Sequence, residues 1–231
     1  MPTYEERDNL EPMLHALAEV LGPDDRVLVI DDNSPDGTGE LADRLAEELP
    51  FVDVLHRERK EGLGPAYLAG FRAALERGAE LVLEMDCDFS HDPADVPRLM
   101  AAADGADLVL GSRYVPGGGV RHWGLLRRLV SRGASLYTRL LLMPVRDSTG
   151  GFKCFRREVL ERLDLEAIGA RGYMFQIETT YRARRLGFRV VEIPITFVDR
   201  EVGGSKMSRA IVLEAVWRVP ALRLAALRGR M

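Results

Sequence analysis

The chain of 231 residues has the length of one large domain, and its composition, 46% hydrophobic and 29% charged, is typical of soluble globular proteins. A net charge of -4 and a pI near 5.7 argue against a basic surface for nucleic acid. Cys87 and Cys154 have the spacing of neither a disulfide framework nor a zinc site, which fits a reducing cytoplasm. We expect neither a signal peptide nor a membrane-spanning helix, because no apolar run reaches ~18 residues.

The first half of the chain alternates strand and helix patterns. The predicted strands cover residues 26–32, 51–56, 81–85 and 107–111. The predicted helices cover residues 38–49, 63–77 and 93–103. Because helices of this length separate the strands, the sequence predicts an α/β fold with a mostly parallel sheet flanked by helices.

The second half begins with a glycine-rich stretch at residues 116–119. An Arg-rich amphipathic segment follows at 123–143, and a helix near 174–186 lies between the β-rich segments 150–156 and 189–199. Another apolar helix, interrupted by Pro220, is predicted from residue 207 onward. Because no repeat or linker appears, we predict a single domain over residues 1–231 that ends in amphipathic helices.

The strand at 81–85 runs directly into Asp86-Cys87-Asp88. Residues two apart on an extended backbone point to the same side, so the two carboxylates can converge where open α/β sheets bind ligands. Two such carboxylates can hold Mg²⁺ or Mn²⁺ and leave positions for substrate phosphates. The alternative is a strand end whose acids are solvated loop residues. Cys87 points the opposite way and is predicted to lie in the core.

The strand at 26–32 ends in Asp31 and Asp32, without the Gly-x-Gly-x-x-Gly pattern that a dinucleotide cofactor needs. The acidic pair suits hydrogen bonds to a nucleobase or to ribose hydroxyls. An equally good explanation is a simple turn, because the next residues, Asn-Ser-Pro-Asp-Gly, are all common in turns. The chain has only three lysines, Lys60, Lys153 and Lys206, and each lies close to glycines. A flexible positive charge beside a permissive backbone often binds phosphate in proteins. With only three positions, coincidence explains the pattern equally well.

Eight segments, in order along nearly the whole chain, resemble family-two glycosyltransferases with the GT-A (Rossmann-like) fold, of the dolichol- or polyprenol-phosphate mannose synthase type. They include Pro-Thr-Tyr, Asp-Cys-Asp, Gly-Ser-Arg-Tyr and Gly-Gly-Phe-Lys motifs. The segments are residues 2–6, 29–38, 60–67, 85–91, 111–114, 150–153, 175–178 and 199–206.

The resemblance implies an inverting enzyme that moves mannose from GDP-mannose to a polyprenyl (dolichyl-type) monophosphate. Residues from about 1 to 115 would bind the nucleotide sugar, and those from about 116 to 231 would bind the acceptor. The implied nucleotide-sugar residues are Pro2, Tyr4, Glu6, Asp31, Asp32, Lys60, Asp86, Asp88, Arg200 and Lys206. The implied metal ligands for Mg²⁺ or Mn²⁺ are Asp86, Asp88 and Ser90, and the implied acceptor-phosphate residues are Arg113, Arg127 and Ser131. Asp88 and Arg113 are the implied catalytic residues, and Arg200 and Lys206 belong to a loop that closes over both substrates.

Two departures from the family pattern affect these roles. Ser90 stands where some members have a Gln ligand, so water is the alternative third ligand. The family begins with a hydrophobic strand, whereas here only Met1 precedes Pro2, and we therefore expect the natural chain to begin upstream or the sequence to be trimmed.

The acceptor phosphate is largely dianionic at neutral pH, its second pKa being near ~6, so no catalytic base is required. His91 is more simply explained by its place beside Asp92, a predicted helix cap, and Glu178 by a structural role. The alternatives are a glucosyltransferase that uses UDP-glucose on the same lipid and a non-catalytic nucleotide-sugar-binding subunit. A dehalogenase-type phosphatase fails, because Ser34 occupies the position of its second acid.

The lipid acceptor implies contact with a membrane surface. Segments 123–143 and 212–228 mix Leu, Val and Trp with Arg, which predicts interfacial helices with arginines at the headgroups, although core helices look similar. We expect a cytoplasmic protein attached peripherally to the inner face of the membrane, with any firmer attachment provided by a separate anchor protein.

Overall fold

The computed structural model describes residues 1–169, 172–199 and 209–228, with the backbone alone for 209–216. The strands are β1 (Pro2–Thr3), β2 (Val27–Asp31), β3 (Val52–His56), β4 (Leu81–Glu84), β5 (Leu108–Ser112), β6 (Gly119–Arg121), β7 (Lys153–Arg156), β8 (Val190–Pro194) and β9 (Thr196–Val198). The helices are α1 (Arg7–Ala18), α2 (Thr38–Glu48), α3 (Leu63–Glu76), α4 (Val96–Ala102), α5 (Leu125–Leu141), α6 (Arg157–Arg162), α7 (Tyr173–Arg185) and α8 (Arg209–Leu227).

The strands pair mostly in parallel, which confirms the predicted α/β architecture. One group has the order β1-β2-β3, and a second has the order β4-β7-β5-β8. Strand β7 is antiparallel to both β4 and β5, whereas β5 and β8 are parallel. Strands β6 and β9 form a separate parallel pair. The order along the chain therefore does not give the order in space, because the late strand β7 separates β4 from β5.

Helices cover both faces of the sheet. In β5, Val109 belongs to one hydrophobic cluster, while its neighbours Leu108 and Leu110 belong to the other. Since successive side chains of a strand point to opposite faces, the two clusters lie on opposite faces. The first cluster contains side chains of α1, α2 and α4, and the second contains side chains of α3, α6, α7 and α8.

The predicted elements are found within a few residues of their expected bounds, with three refinements. Helix α8 runs through Pro220 without the expected interruption. The segment 93–103 begins with a 3₁₀ turn, Pro93–Asp95, and only then becomes α4. The Asp92 carboxylate accepts a hydrogen bond from the Ala94 backbone N–H, which confirms the predicted cap. The segment 189–199 is two strands, because its pairing changes partner around Ile195.

The N-terminal residues are part of the sheet. The Met1 amino group donates to the Leu28 carbonyl at 2.9 Å, and Thr3 pairs with Asp31. Burial lowers the pKa of the Met1 amino group to about 6. The pairing brings the residues that follow β1 next to those that follow β2. Within the described ranges, no helix is long and apolar enough to cross a membrane.

Candidate active site

The Asp-Cys-Asp motif forms a tight turn directly after β4. Asp88 and Ser90 are buried, and the Ser90 backbone N–H donates to the Asp88 carboxylate at 3.1 Å. Phe89, between them, has a left-handed backbone with φ of +57°, which is costly for a bulky residue. Cys87 lies in the core as predicted, and burial raises the pKa of its thiol well above the ordinary value. The turn thus separates an apolar thiol from two carboxylates.

His91 packs next to this turn and forms a hydrogen bond with its backbone. Its Nδ1 accepts a hydrogen bond from the Asp86 backbone N–H at 3.1 Å, and its ring stacks on Phe152 with centroids 4.8 Å apart. Burial lowers the pKa of the imidazole. A neutral ring that accepts at Nδ1 carries its proton on Nε2, so His91 fixes the backbone that carries Asp86.

The residues of the turn fit a divalent cation. Asp86 and Asp88 line the same cavity as Ser90, whose buried hydroxyl has no hydrogen-bond partner in the part of the chain that the structure describes. Carboxylate and hydroxyl oxygens are hard ligands of the kind that Mg²⁺ and Mn²⁺ bind. Among the described residues no group of three or more His, Cys, Asp and Glu side chains is arranged to hold a metal. A cation held here would therefore keep positions open for substrate oxygens.

A single cavity of about 360 Å³ brings these carboxylates together with the predicted acceptor residues. Arg113, Arg127 and Ser131 all line it. Its remaining wall is largely apolar or aromatic and comes from the loop before α5, from α5 itself, from α7 and from β9. The residues that form this wall are Trp123, Val130, Ala134, Tyr137, Tyr173, Ile177 and Phe197. The cavity can therefore hold an anionic group and an apolar chain at once.

Arg113 is buried and bound to protein along one edge. Its Nε and Nη2 donate to the Asp147 carboxylate at 2.7 and 2.6 Å, and Nη2 also donates to the Thr149 hydroxyl at 2.8 Å. Despite its burial, the Asp147 carboxylate raises the pKa of the guanidinium well above its usual value. Asp147 therefore occupies the Nε and Nη2 edge of the guanidinium, which would otherwise be able to donate two hydrogen bonds to a phosphate. No described residue accepts a hydrogen bond from Nη1, so this nitrogen remains for a ligand.

Arg127 and Ser131 are held on α5. The Arg127 guanidinium bonds both oxygens of Asp199, at 2.7 and 2.6 Å, and lies 4.2 Å from the centre of the Trp123 ring. Its Nε is buried without a partner among the described residues. The Tyr114 hydroxyl donates to Ser131 Oγ at 2.6 Å. Both side chains are therefore oriented before any ligand arrives.

The predicted nucleotide residues of the first half meet at the ends of β1 and β2. Lys60 Nζ lies 3.5 Å from the centre of the Tyr4 ring, and the buried Asp32 carboxylate forms an ion pair with Arg57. Burial raises the pKa of Asp32, and Arg57 opposes that shift. The structure brings Tyr4, Asp32 and Lys60 together, although none of them lines the cavity described above.

Asp31 and Glu6 take part in local structure. The Asp31 carboxylate accepts hydrogen bonds from the Ser34 hydroxyl and backbone N–H, at 2.5 and 3.2 Å. These bonds stabilise the turn after β2, which was the alternative explanation for the pair Asp31 and Asp32. A nucleotide-binding role for Asp31 stays a prediction. Glu6 precedes α1 and accepts from the Asn9 amide at 2.8 Å. Pro2 pairs with Ile30 in the sheet.

For Lys153 the structure favours coincidence over a phosphate contact. Its side chain is buried, and Nζ donates to the Gln176 carbonyl at 2.8 Å. Register explains this, because Lys153 lies opposite Glu84 in the β4–β7 ladder and points into the protein. Arg200 and Lys206 lie outside the described residues.

Sequence reasoning missed several residues of the site. Asp147 and Asp199 bind the two arginines, and the buried Tyr67 hydroxyl donates to Asp86 at 3.4 Å. Tyr67 falls within the motif at 60–67, but nothing in the sequence indicates its partner. Asp147 is 34 residues from Arg113, and Asp199 is 72 residues from Arg127. Only the folded chain reveals such pairs.

Comparison with known proteins identifies the family. The family model described as glycosyl transferase family 2 matches residues 1–164. The chain is 50% identical over 236 residues to an undecaprenyl-phosphate mannosyltransferase of Micrococcus luteus, covering 100% of this chain and 97% of the relative. It is also 50% identical over 234 residues to a polyprenol monophosphomannose synthase of Mycolicibacterium smegmatis, covering 100% and 87%. The chain belongs to glycosyl transferase family 2.

Solved structures support the fold of this family 2 glycosyltransferase. A glucosyl-3-phosphoglycerate synthase of Mycobacterium tuberculosis, in complex with Mn²⁺, UDP and glucosyl-3-phosphoglycerate, matches with a TM-score of 0.66 and 22% identity over 99% of this chain and 77% of the other. A further mycobacterial protein matches with a TM-score of 0.70 and 23% identity, over 99% and 73%. The resemblance to the GT-A fold inferred from the motifs is confirmed.

Proposed function

We propose that the protein transfers mannose, with inversion, from GDP-mannose to a polyprenyl monophosphate. The cavity carries this proposal, because it combines a turn whose carboxylate and hydroxyl oxygens suit a cation with Arg113, Arg127 and a largely apolar wall. The donor's diphosphate fits the first part, and the acceptor's phosphate and isoprenoid chain fit the second. The names of both relatives, which are 50% identical to this chain, support mannose as the sugar and a polyprenyl phosphate as the acceptor.

The guanosine of the donor would lie at the ends of β1 and β2, against Tyr4, Asp32 and Lys60. A carboxylate accepts from N–H groups of a base, and a lysine held beside an aromatic ring supplies positive charge for the diphosphate. Pro2, Glu6 and Asp31 would shape this pocket through the β1–β2 pairing. Arg200 and Lys206 are proposed to cover the donor.

The reaction needs orientation rather than a base. An oxygen of the acceptor phosphate would attack the anomeric carbon while the bond to the diphosphate breaks, and the electron pair leaves with GDP. Because this phosphate is already ionised, no proton has to be removed. The Glu178 carboxylate accepts a hydrogen bond from Arg182 Nε at 2.8 Å, which supports the structural role expected for it. Arg127 and the Nη1 of Arg113 would hold the acceptor in line.

The leaving group is the other requirement. A divalent cation bound by Asp86, Asp88 and the Ser90 hydroxyl would offset the negative charge that develops on GDP. Tyr67 and His91 orient Asp86 for this role, through the hydroxyl contact and the backbone hydrogen bond respectively. The Mn²⁺ in the solved structure of the glucosyl-3-phosphoglycerate synthase supports a divalent metal, with Mg²⁺ as the alternative.

Peripheral attachment to the inner face of a membrane is part of the proposal. Five leucines of α5 are between 55% and 78% exposed, namely Leu125, Leu126, Leu129, Leu136 and Leu140. Four of them recur at spacings of four, seven and four residues and so form one stripe along the helix. A buried core helix would cover such a stripe, whereas an interfacial helix inserts it among lipid chains.

A transfer assay tests the function. The purified protein is incubated with labelled GDP-mannose, Mn²⁺ and polyprenyl monophosphate, and the lipids are then extracted. We expect label in the lipid fraction, and its loss in Asp88→Asn but not in Asp104→Asn, whose side chain is exposed and outside the cavity. Equal transfer by Asp88→Asn would contradict the metal role. Transfer from UDP-glucose in place of GDP-mannose would show that the glucosyltransferase alternative is correct.

A further inference from the structure

A second cavity lies on the flank of α5 beside the leucine stripe. Its volume is about 510 Å³, and its wall includes Arg132, Ser135, Arg139 and Arg146. The loop 115–118 closes one side. This cavity shares Arg113 with the proposed active-site cavity but contains neither Asp86 nor Asp88. We call it the flank pocket.

The flank pocket is strongly basic. Arg132, Arg139 and Arg146 are all exposed, and none of them forms an ion pair with any described residue. Two carboxylates lie nearby, but both are already bonded. Asp147 binds Arg113, and Glu192 accepts from the Ser112 hydroxyl and from backbone N–H groups. Because the donors to Glu192 are neutral, this carboxylate keeps its charge, and it is one negative charge beside three guanidinium groups that form no ion pair among the described residues.

The floor of the flank pocket contains an unused polar group. Ser135 is 3% exposed, and its hydroxyl has no hydrogen-bond partner within the described residues. An unpaired buried hydroxyl is costly unless a ligand or water completes it. Guanidinium groups and a hydroxyl are donors that a phosphate group requires.

The surroundings indicate where that phosphate comes from. Leu136, a member of the exposed leucine stripe, also lines the flank pocket. On α5, Arg132 and Arg139 are four and three residues from Leu136 and so lie along the same side of the helix. A ligand in the flank pocket thus has its anionic end at the arginines and its neighbouring atoms at exposed leucine side chains. This is the layout of a lipid headgroup rather than of a soluble anion.

We propose that the flank pocket binds the phosphodiester headgroup of an anionic membrane phospholipid. The binding orients α5 on the bilayer with the leucine stripe in the acyl region, and it places the entrance of the active-site cavity next to the lipid surface through the shared Arg113. The inference rests on the proposed membrane attachment. It is separate from the acceptor site, because it involves neither Arg127 nor Ser131.

The test measures binding to vesicles of phosphatidylcholine with and without phosphatidylglycerol. The variant Arg139→Lys/Arg146→Lys keeps the net charge but loses the planar, two-pronged donors that match a phosphate. We expect it to bind the phosphatidylglycerol vesicles about tenfold more weakly, which corresponds to about 1.4 kcal/mol. The matched control is Arg77→Lys/Arg121→Lys, at two exposed positions outside the pocket, and it should bind within about twofold of the unmodified protein.

Other outcomes overturn the proposal. Equal vesicle binding by both double variants would mean that unspecific charge attraction holds the protein on the membrane. Displacement from the vesicles by inorganic phosphate at constant ionic strength would mean that the pocket takes a soluble anion. Mannose transfer in detergent is measured alongside, because the proposal predicts that the Arg139→Lys/Arg146→Lys variant retains it. If the Arg139→Lys/Arg146→Lys variant loses vesicle binding but keeps transfer, the result supports the flank pocket as a headgroup site. If no protein, including the unmodified one, transfers mannose, the result contradicts the proposed function instead.

Discussion

Glu84, the last residue of β4, should make the stability of the protein depend on pH. Burial raises the pKa of its carboxyl group from the ordinary 4.5 to about 7, and Lys153 across the ladder opposes the shift only in part. The Gln176 side chain opposes the shift as well, although neither carboxylate oxygen of Glu84 meets the geometry of a hydrogen bond among the described residues. The folded state therefore holds the Glu84 proton more tightly than the unfolded chain does.

The sign of the effect follows from that difference. A carboxyl group whose pKa is raised on folding contributes stability that is fully present below about pH 4.5 and is lost as the pH rises through about 7. At about 1.4 kcal/mol per unit, the change between about pH 5 and about pH 8 is roughly 2.5 kcal/mol. Burial also lowers the pKa of Lys153 to about 8, and this group loses its own contribution as the pH falls, which reduces the net change to about 2 kcal/mol.

The substitution Glu84→Gln removes the titrating group and nearly keeps its shape. Urea unfolding across this pH range should show that the variant lacks the contribution of Glu84, about 2.5 kcal/mol of pH dependence, and is the more stable protein at alkaline pH. The control Glu80→Gln changes an exposed carboxylate just before the same strand and should leave the dependence intact. Identical pH profiles for Glu84→Gln and the unmodified protein would refute the reasoning.

Substitutions at three further positions test single contacts. Asp147→Asn leaves the buried Arg113 guanidinium without its counter-charge and should lower the free energy of unfolding by about 3–5 kcal/mol in urea titrations, so a loss below about 1 kcal/mol would contradict the pairing. His91→Phe removes the acceptor of the Asp86 N–H and should lower kcat at least about tenfold, whereas His91→Asn, which can accept, should recover part of it; no difference between them would exclude the positioning role. Gly118→Ala would force a Cβ against a backbone carbonyl and should lower Tm by several degrees in a calorimetric scan, and an unchanged Tm would show that the loop has room.

Much of the fold could be predicted because its strands are buried apolar runs. Val27–Asp31 and Leu108–Ser112 lie where the pattern put them, and each precedes polar residues at the end of the sheet. The position of β7 could not be predicted. Its insertion between β4 and β5 depends on pairing between residues about 70 and about 45 positions apart, which local patterns do not encode.

The site could be predicted as a set of residues but not as a set of contacts. Asp86 and Asp88 were expected to converge because of their spacing, and both do line one cavity. The glycines beside Lys153 left a phosphate contact open, but its place in the ladder turns the side chain inward. Arg113 was expected to grip a phosphate, but an aspartate far along the chain holds that edge of the guanidinium. Side-chain direction within a strand and long-range pairing are properties of the assembled sheet.

The central claim is that one cavity holds the cation beside the leaving group and the acceptor phosphate together. The most direct measurement is the ³¹P relaxation of a short-chain polyprenyl monophosphate bound to the protein with GDP and Mn²⁺. Because the two groups would share a cavity of about 360 Å³, strong paramagnetic broadening is expected, with its loss in Asp88→Asn. A phosphate that binds but keeps a sharp signal beside bound Mn²⁺ would contradict the account.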